Sequence, residues 1–361
     1  MASSLSANLG FKIKADRFFN DDVRIVPYLK NNLRHNRIDR FCVGEGMVKL
    51  WLLLLPALVS AQKIDNAASF RDIRRESFFR FHYDNDYFSS TDRNYTQGYN
   101  FELVVKALQN NPVNAILIKP KEHDFQYGLS IEHIGFTPEN YKFEEIQYGD
   151  RPFASAIMLR SFLIATDTVR RSRLTSSFSL GIIGPGAFGK EMQVAIHEAT
   201  GNTIPLGWKN QIKNDVVINY QIDYEKQLFR FRKYLAINAQ AAARVGTLFT
   251  NASVGGNAVL GIINSPYASL GTRKKFALYA YSQAMVSVIG YDATLQGGLF
   301  NDKSPYTIAT RDIERFVGQH NYGIILQTRT LYFEYSRTMI TREFNSQTSS
   351  KWGGIRIGFT F

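Results

Sequence analysis

Between residues 77 and 361, apolar and aromatic side chains recur at every second position, segment after segment. In residues 216–224, Val216, Ile218, Tyr220, Ile222 and Tyr224 alternate with Val217, Asn219, Gln221 and Asp223. Successive strand side chains point to opposite faces, so this period is the mark of a β-strand with one apolar face. The same pattern predicts strands over 77–83, 95–105, 125–133, 153–165, 173–183, 216–224, 234–247, 252–263, 275–289, 312–318, 322–337 and 352–361. In the second, Tyr95, Gln97, Tyr99, Phe101 and Leu103 are expected on one face, and Thr96, Gly98, Asn100 and Glu102 on the other. A soluble sandwich turns its polar face to water, whereas a membrane barrel turns its apolar face to lipid and its polar, small face inward. The aromatic content of 14%, with 27 Phe and 19 Tyr, favours the barrel, whose rims carry aromatic girdles. A mean hydropathy of −0.20 excludes a helical membrane bundle. The fold class expected is therefore all-β: a 12-stranded antiparallel transmembrane β-barrel with a short helix in an extracellular loop. A soluble secreted β protein is the alternative.

The one long apolar run, residues 50–61, is too short to span a bilayer. It reads as a signal peptide beginning at Met47, with Lys49 ahead of the apolar residues 51–58 and Val59-Ser60-Ala61 as the cleavage motif before Gln62. The expected organisation is 1–46 as a non-native upstream extension or misplaced start, 47–61 as signal peptide, and 62–361 as the barrel enzyme domain. A genuine basic extension is the alternative for the first part. The single cysteine, Cys42, falls outside the mature chain, which leaves that chain no disulfide, thiolate metal site or cysteine nucleophile. The net charge of +12 falls to about +8 once the nine Lys/Arg and five Asp/Glu of residues 1–61 are removed (12 − 4). No basic run or nucleic-acid motif accompanies that charge, so nucleic acid is not an expected partner. Spread over loops, it suits anionic lipid headgroups.

Strand parity gathers the unusual loops. With twelve strands and both ends in the periplasm, odd-numbered connections lie on the outer rim. Connection one, residues 84–94, carries three Asp, two Asn and several hydroxyls. Such a loop fits a hard cation such as calcium, and equally a solvated hairpin tip rich in turn formers. Connection three is residues 135–152 and connection five residues 184–214. In the last, Gly184-Pro185-Gly186 breaks the strand and residues 187–200 have helical character, ending at Gly201 as a C′ glycine. Gln193 and His197 are four apart and share a helix face. Taken alone, such a histidine is more often a surface or packing residue than a functional one.

The motifs then carry a resemblance. Asn85-Asp86, Asp92-Arg93, Tyr95-Thr96 and Gly98, Thr137-Pro138, Gly149-Asp150-Arg151-Pro152-Phe153-Ala154, Ile183-Gly184-Pro185, Gln193, His197, Gly201, and Trp208 with Gln211-Ile212 occur in this order. The set resembles the lipid A 3′-O-deacylase family of Gram-negative outer membranes over about residues 81–212. The resemblance implies a barrel whose active site lies at the outer leaflet, between the wall and the loop helix. It implies calcium-dependent removal of the ester-linked 3′ acyloxyacyl group of lipid A, with lipopolysaccharide as the substrate partner. Matched residue by residue, the family's Asn-Asp pair falls on Asn85 and Asp86, its threonine on Thr96, its helix glutamine on Gln193 and its histidine on His197. Its lysine falls on Lys142, across altered spacing. A family glutamate beyond the histidine has no counterpart, since Asn202 and Thr203 stand there.

Ester hydrolysis needs an activated water and stabilisation of the oxyanion. In this reading His197 is the general base, since a neutral imidazole takes a proton from water near neutral pH. Calcium held by Asp86, with Asn85 as ligand or oxyanion donor, polarises the carbonyl. Thr96, on the inward face of its strand, orients water or a ligand, Gln193 holds substrate or the histidine, and Lys142 meets a lipid A phosphate. No serine stands beside a histidine in a recognisable motif. Asp150-Arg151-Pro152 is expected to be an ion-paired turn bracing connection three, Glu102 and Glu132 to face the lumen, and His133 to sit near the aromatic girdle. The alternatives are a phospholipase-type acyl hydrolase on the same barrel, or a non-enzymatic pore or structural barrel. The barrel is expected to act as a monomer. Mass spectrometry of the protein recovered from outer membranes is expected to give an N-terminus at Gln62 and 300 residues (361 − 61); a chain retaining Met47 would overturn the signal-peptide reading.

Overall fold

The computed structural model describes residues 66–86, 95–270 and 276–361. Its strands are β1 (Phe78–Asn85), β2 (Gln97–Val104), β3 (Asp124–Phe136), β4 (Ala154–Asp167), β5 (Ser172–Ile183), β6 (Asp215–Phe231), β7 (Leu235–Gly246), β8 (Phe249–Ile262), β9 (Ala277–Asp292), β10 (Phe316–Gln327), β11 (Leu331–Ile340) and β12 (Ser350–Thr360). Each pairs antiparallel with its sequence neighbours, and β1 pairs with β12 to close the barrel. No helix among the described residues is long and apolar enough to cross a membrane; the strands do that.

The alternation sorts side chains as expected. On β1, Arg80, His82 and Asp84 are buried toward the lumen while Phe79, Phe81 and Tyr83 point outward. Outward residues such as Phe101, Leu180, Ile218, Val254 and Ile324 are exposed, as a lipid-facing surface requires. Glu102 and Glu132 face the lumen.

The boundary between the tenth and eleventh strands differs from the sequence reading. Strand β10 begins at Phe316 and takes residues up to Gln327, and the chain reverses at Thr328-Arg329-Thr330. The turn is held by the Thr328 hydroxyl, which accepts from the amides of Leu331 (3.0 Å) and Thr330 (3.4 Å). Threonine makes such turns less often than Gly, Asn or Asp, so the period runs through it without a visible break. Residues 312–315 belong instead to the preceding connection, where Ile313 bridges Phe344.

Two residues near connection one also differ. Asp84 lies within β1, where it accepts a 2.6 Å hydrogen bond from the Tyr95 hydroxyl and sits 3.3 Å from His82 Nε2. It is thus a lumen residue and not an open loop ligand. Tyr95 packs inward on Phe136 and Trp352, opposite to the face expected from Tyr99, because the alternation breaks just before β2 starts.

Residues 66–74 run into the barrel and fill much of one end. Phe70 stacks on Tyr281 at 4.2 Å, Ser69 bonds Glu225, and Arg74 pairs with Asp124 at 3.0 Å. Asn66 donates to Glu102 (3.1 Å), which also pairs with Arg80 at 2.7 Å. At the centre Glu334 is fully buried and accepts from Arg71 and Arg356, each at 3.0 Å, and from the hydroxyls of Tyr281 (2.5 Å) and Tyr332 (2.6 Å). Two guanidiniums share one carboxylate, so its loss leaves both charges buried and unmatched. Glu334→Ala is expected to destabilise the folded barrel by about 3–5 kcal/mol, measured by urea unfolding in detergent; a change below about 1 kcal/mol would mean that solvent, not this carboxylate, neutralises the arginines.

Candidate functional site

The connections after β1, β3 and β5 lie at one rim, on neighbouring staves of the wall, while those after β2 and β8 (residues 105–123 and 263–276) lie at the other. Connection five contains a 3-10 turn, Pro185–Ala187, then a helix α1, Gly189–Thr200. The helix starts later than its sequence pattern because Phe188 adopts a left-handed backbone, φ 60°. It ends as expected at Gly201, φ 70°, a conformation glycine takes without a side-chain clash.

Close approach of α1 to the wall depends on Gly189. A Cβ there would lie 2.4 Å from Ser155 Cβ and 2.9 Å from the Trp208 ring. Ser155 belongs to an outward row that runs across four staves, Asn85, Gln97, Gly135 and Ser155, each opposite the next in register. At the usual strand spacing that row spans roughly 14 Å from Asn85 to the footing of the helix.

On α1, Gln193 and His197 are buried, on the face turned to the protein. Gln193 Oε1 accepts from the Trp208 indole at 2.6 Å, and its Nε2 is buried with no partner among the described residues. Trp208 packs on Phe153 at 5.0 Å, which anchors the end of connection five to the start of β4. His197 Nδ1 lies 2.6 Å from the carbonyl oxygen of Thr203. A carbonyl can only accept, so Nδ1 carries the proton, and in the neutral ring Nε2 keeps its lone pair. The imidazole edge meets Tyr141 of connection three at 5.4 Å.

Connection three links the helix to the first hairpin. Thr96, immediately before β2, has its hydroxyl 2.7 Å from that of Thr137, immediately after β3. Because the alternation breaks at Tyr95, the side chain of Thr96 is tied to connection three and not simply to the inward face of β2. Asn85, at the end of β1, donates to the Tyr83 hydroxyl at 3.1 Å, and the next residue, Asp86, has a buried side chain. The rest of connection one, residues 87–94 with Asp92, lies outside the described residues. An amide and a buried carboxylate side by side supply oxygen donors of the kind calcium takes. They are a partial set, since no group of three or more His, Cys, Asp or Glu gathers for a metal among the described residues. Lys142, beside Tyr141, is exposed.

The structure sets Gln193 against Trp208, His197 against Tyr141 and Thr96 against Thr137, the last two contacts both being made to connection three. It sets Asn85 on the same row as the helix footing, and leaves Lys142 on the surface. Thr137 and Trp208 stood within sequence motifs but without a role. Tyr141, Ser155 and the Thr203 carbonyl had no signal of their own, since their part depends on which strand or helix they face. His133 is fully buried on the outer face of β3 and stacks on the outward Tyr99 at 4.9 Å, beside Phe101. Asp150-Arg151 braces connection three, but across the rim. Arg151 pairs with Glu343 and donates to Thr294 (2.8 Å), while Asp150 accepts from the amides of Glu139 (2.8 Å) and Arg151 (2.6 Å). Burial raises the Asp150 and Glu343 carboxyls above their usual range, against the opposing pull of those donors.

Twelve closed antiparallel staves with an apolar outer face and a polar, charged lumen define an outer-membrane β-barrel. Its sequence matches the profile of the family described as "Outer membrane protein LpxR" over residues 48–361. The chain belongs to that family, the lipid A deacylase family whose motifs it carries, and is a protein of the outer membrane. No curated protein matches it in sequence. Among solved structures, LpxR from Salmonella typhimurium superposes with a TM-score of 0.64 at 19% identity, covering 79% of this chain and 100% of that one. The β domain of the Bordetella autotransporter BrkA gives 0.40 at 6% identity, covering 79% and 98%, and the KdgM porin 0.33 at 7%, covering 79% and 99%.

Gly189→Ala is expected to lift α1 from the wall at a cost of about 1–3 kcal/mol, seen as faster protease cleavage within connection five of an otherwise folded barrel. Ser155→Gly in the same chain is expected to restore protection. Unchanged cleavage in the single variant would show that the contact with Ser155 does not hold the helix.

Proposed function

We propose that this outer-membrane protein hydrolyses the ester that links the 3′ acyloxyacyl group to lipid A, with His197 as general base. The observation that carries the reading is the tautomer of His197. With Nδ1–H committed to the Thr203 carbonyl, Nε2 is the nitrogen left to accept a proton from water. The water oxygen then bonds to the ester carbonyl carbon as its π electrons move to the carbonyl oxygen. Gln193, whose buried Nε2 has hydrogens to donate, is the candidate donor to that oxyanion. Collapse breaks the bond to the sugar oxygen, and the proton held on His197 Nε2 passes to that leaving alkoxide. The products are a free acyloxyacyl acid and a sugar hydroxyl.

Thr96 and Thr137, with hydroxyls 2.7 Å apart, offer a polar cradle for the water or the substrate oxygens. Lys142, exposed on connection three, is the cation available to a phosphate of the substrate. Asp86 and Asn85 would hold calcium through their side-chain oxygens, and the bound ion would supply polarisation of the ester carbonyl. The pore reading meets an interior crossed by residues 66–74 and their ion pairs.

The test is mass spectrometry of purified lipid A after incubation with refolded protein, with calcium and with chelator, alongside His197→Ala and Gln193→Ala. Wild type with calcium is expected to remove an acyloxyacyl mass, and His197→Ala to lose about 10²–10⁴-fold in rate. Activity surviving in chelator would remove calcium from the proposal. Intact lipid A in every tube, with the barrel shown folded, would overturn the whole reading.

A further inference from the structure

On staves β3 to β6 the outer wall is covered at two heights. Toward the candidate site, connection five lies on it: Gly189 meets Ser155, and His133, in the next outward row, is fully buried. Toward the periplasm, connection two (residues 105–123) climbs back up the same staves. Asn111 donates to Ser161 on β4 at 3.1 Å, Ser176 on β5 to the Ile118 carbonyl at 3.2 Å, and Tyr220 on β6 to the Ile116 carbonyl at 3.0 Å. The outward Leu163 and Ala165 are buried, and so is Leu117 of the connection. Lys119 then stands over the Phe125 and Tyr127 rings, 5.0 and 5.4 Å from their centroids, a pairing suited to the headgroup boundary.

Between the two covers one row stays open. Ile131, Leu159, Leu180 and Ile218 stand opposite one another in register on β3, β4, β5 and β6, and each is 41–53% exposed. The result is an apolar trough with connection five above it and connection two below. On β4 its limits are Ser155 and Ser161, six residues apart (161 − 155), which is roughly 20 Å along a strand. At a strand tilt of about 40° the drop along the membrane normal is roughly 15 Å. Half of a hydrocarbon core about 30 Å thick has the same depth. The far wall is open at both ends: on β9, Leu278 near the periplasmic rim and Val288 toward the other are both exposed. The covered staves are thus those that carry the candidate site, and the trough begins at the footing of the helix that bears Gln193 and His197.

We infer that connection two is a chain-length stop for the acyl group that the enzyme releases. The chain lies down the trough over Leu159 and Leu180, and its end meets Ile116, which is 53% exposed and sits in the adjoining row, where Ser161 and Tyr220 both face Phe178. A chain that fills the trough leaves its ester beside His197, and a longer one pushes the ester away from it. The inference rests on the deacylase reading and deepens it, by naming what sets the choice of acyl chain.

Two measurements on the whole barrel test the stop apart from the activity. In the first, lipid A analogues with 3′ chains from decanoyl to octadecanoyl are offered with calcium. Wild type is expected to show one optimum, with kcat/KM roughly tenfold lower for chains beyond it. Ile116→Ala is expected to move the optimum to a longer chain and Ile116→Trp to a shorter one, while Val254→Trp on the far wall leaves it in place. These side chains are exposed, and the bond from Tyr220 goes to the main chain at Ile116, so the fold is retained. In the second, His197→Ala is loaded with lipid A whose 3′ chains end in a diazirine, then irradiated and mapped by peptide mass spectrometry. Adducts are expected on residues 111–118. A flat chain-length profile from an active wild type, or adducts spread evenly round the barrel, would overturn the stop and leave the deacylase reading standing. Adducts on 111–118 with no analogue hydrolysed by wild type would keep the acyl-chain site and overturn the deacylase reading.

Discussion

In a bilayer core no water is present to satisfy a peptide group, so a strand at the edge of a sheet cannot exist there. The register of β1 on β12, from Phe78 opposite Thr360 to Asn85 opposite Gly353, removes the last edge. Closure also explains details on the lipid side. Ser161, Ser176 and Tyr220 point outward yet keep their hydroxyls bonded, because connection two folds back along the wall. Asn111 donates to Ser161, Ser176 to the Ile118 carbonyl, and Tyr220 to the Ile116 carbonyl. Polar atoms that face lipid are covered by backbone.

The interior meets the same demand with charge. A wall of this circumference encloses more space than the inward side chains of its strands alone must fill, and the strands turn Arg80, Arg173, Arg356, Glu102, Glu225 and Glu334 into it. Residues 66–74 complete the neutralisation, joining staves that lie far apart in sequence, such as β6 at Glu225 and β11 at Glu334. A lumen tied in this way is a rigid support for the rim above it, and a rigid wall is what a site made from loops requires.

The candidate site takes its geometry from that wall. Gly189 lets α1 touch Ser155, Phe153 holds Trp208, and Trp208 fixes Gln193. The histidine is held by a main-chain oxygen and packed on Tyr141 of a different connection. Across the rim, Arg151 reaches Glu343 beyond β11, so connection three is braced from both sides. Each element contributes little alone; their joint effect is to hold Gln193 and His197 facing the wall instead of the solvent.

The period of two was enough to read twelve strands, the lipid and lumen faces of most of them, and the rim to which each loop belongs, because alternation and parity are properties of the chain itself. The C′ glycine at Gly201 and the shared face of Gln193 and His197 were legible for the same reason, being local to one helix. Sequence did not show that Tyr95 turns inward to Asp84, that Thr328 reverses the chain between β10 and β11, or that residues 66–74 enter the lumen. Nor did it show that Thr203 would orient His197, since any residue presents the same carbonyl to the backbone code. Those outcomes depend on contacts between segments far apart in sequence, and only the closed barrel brings them within reach.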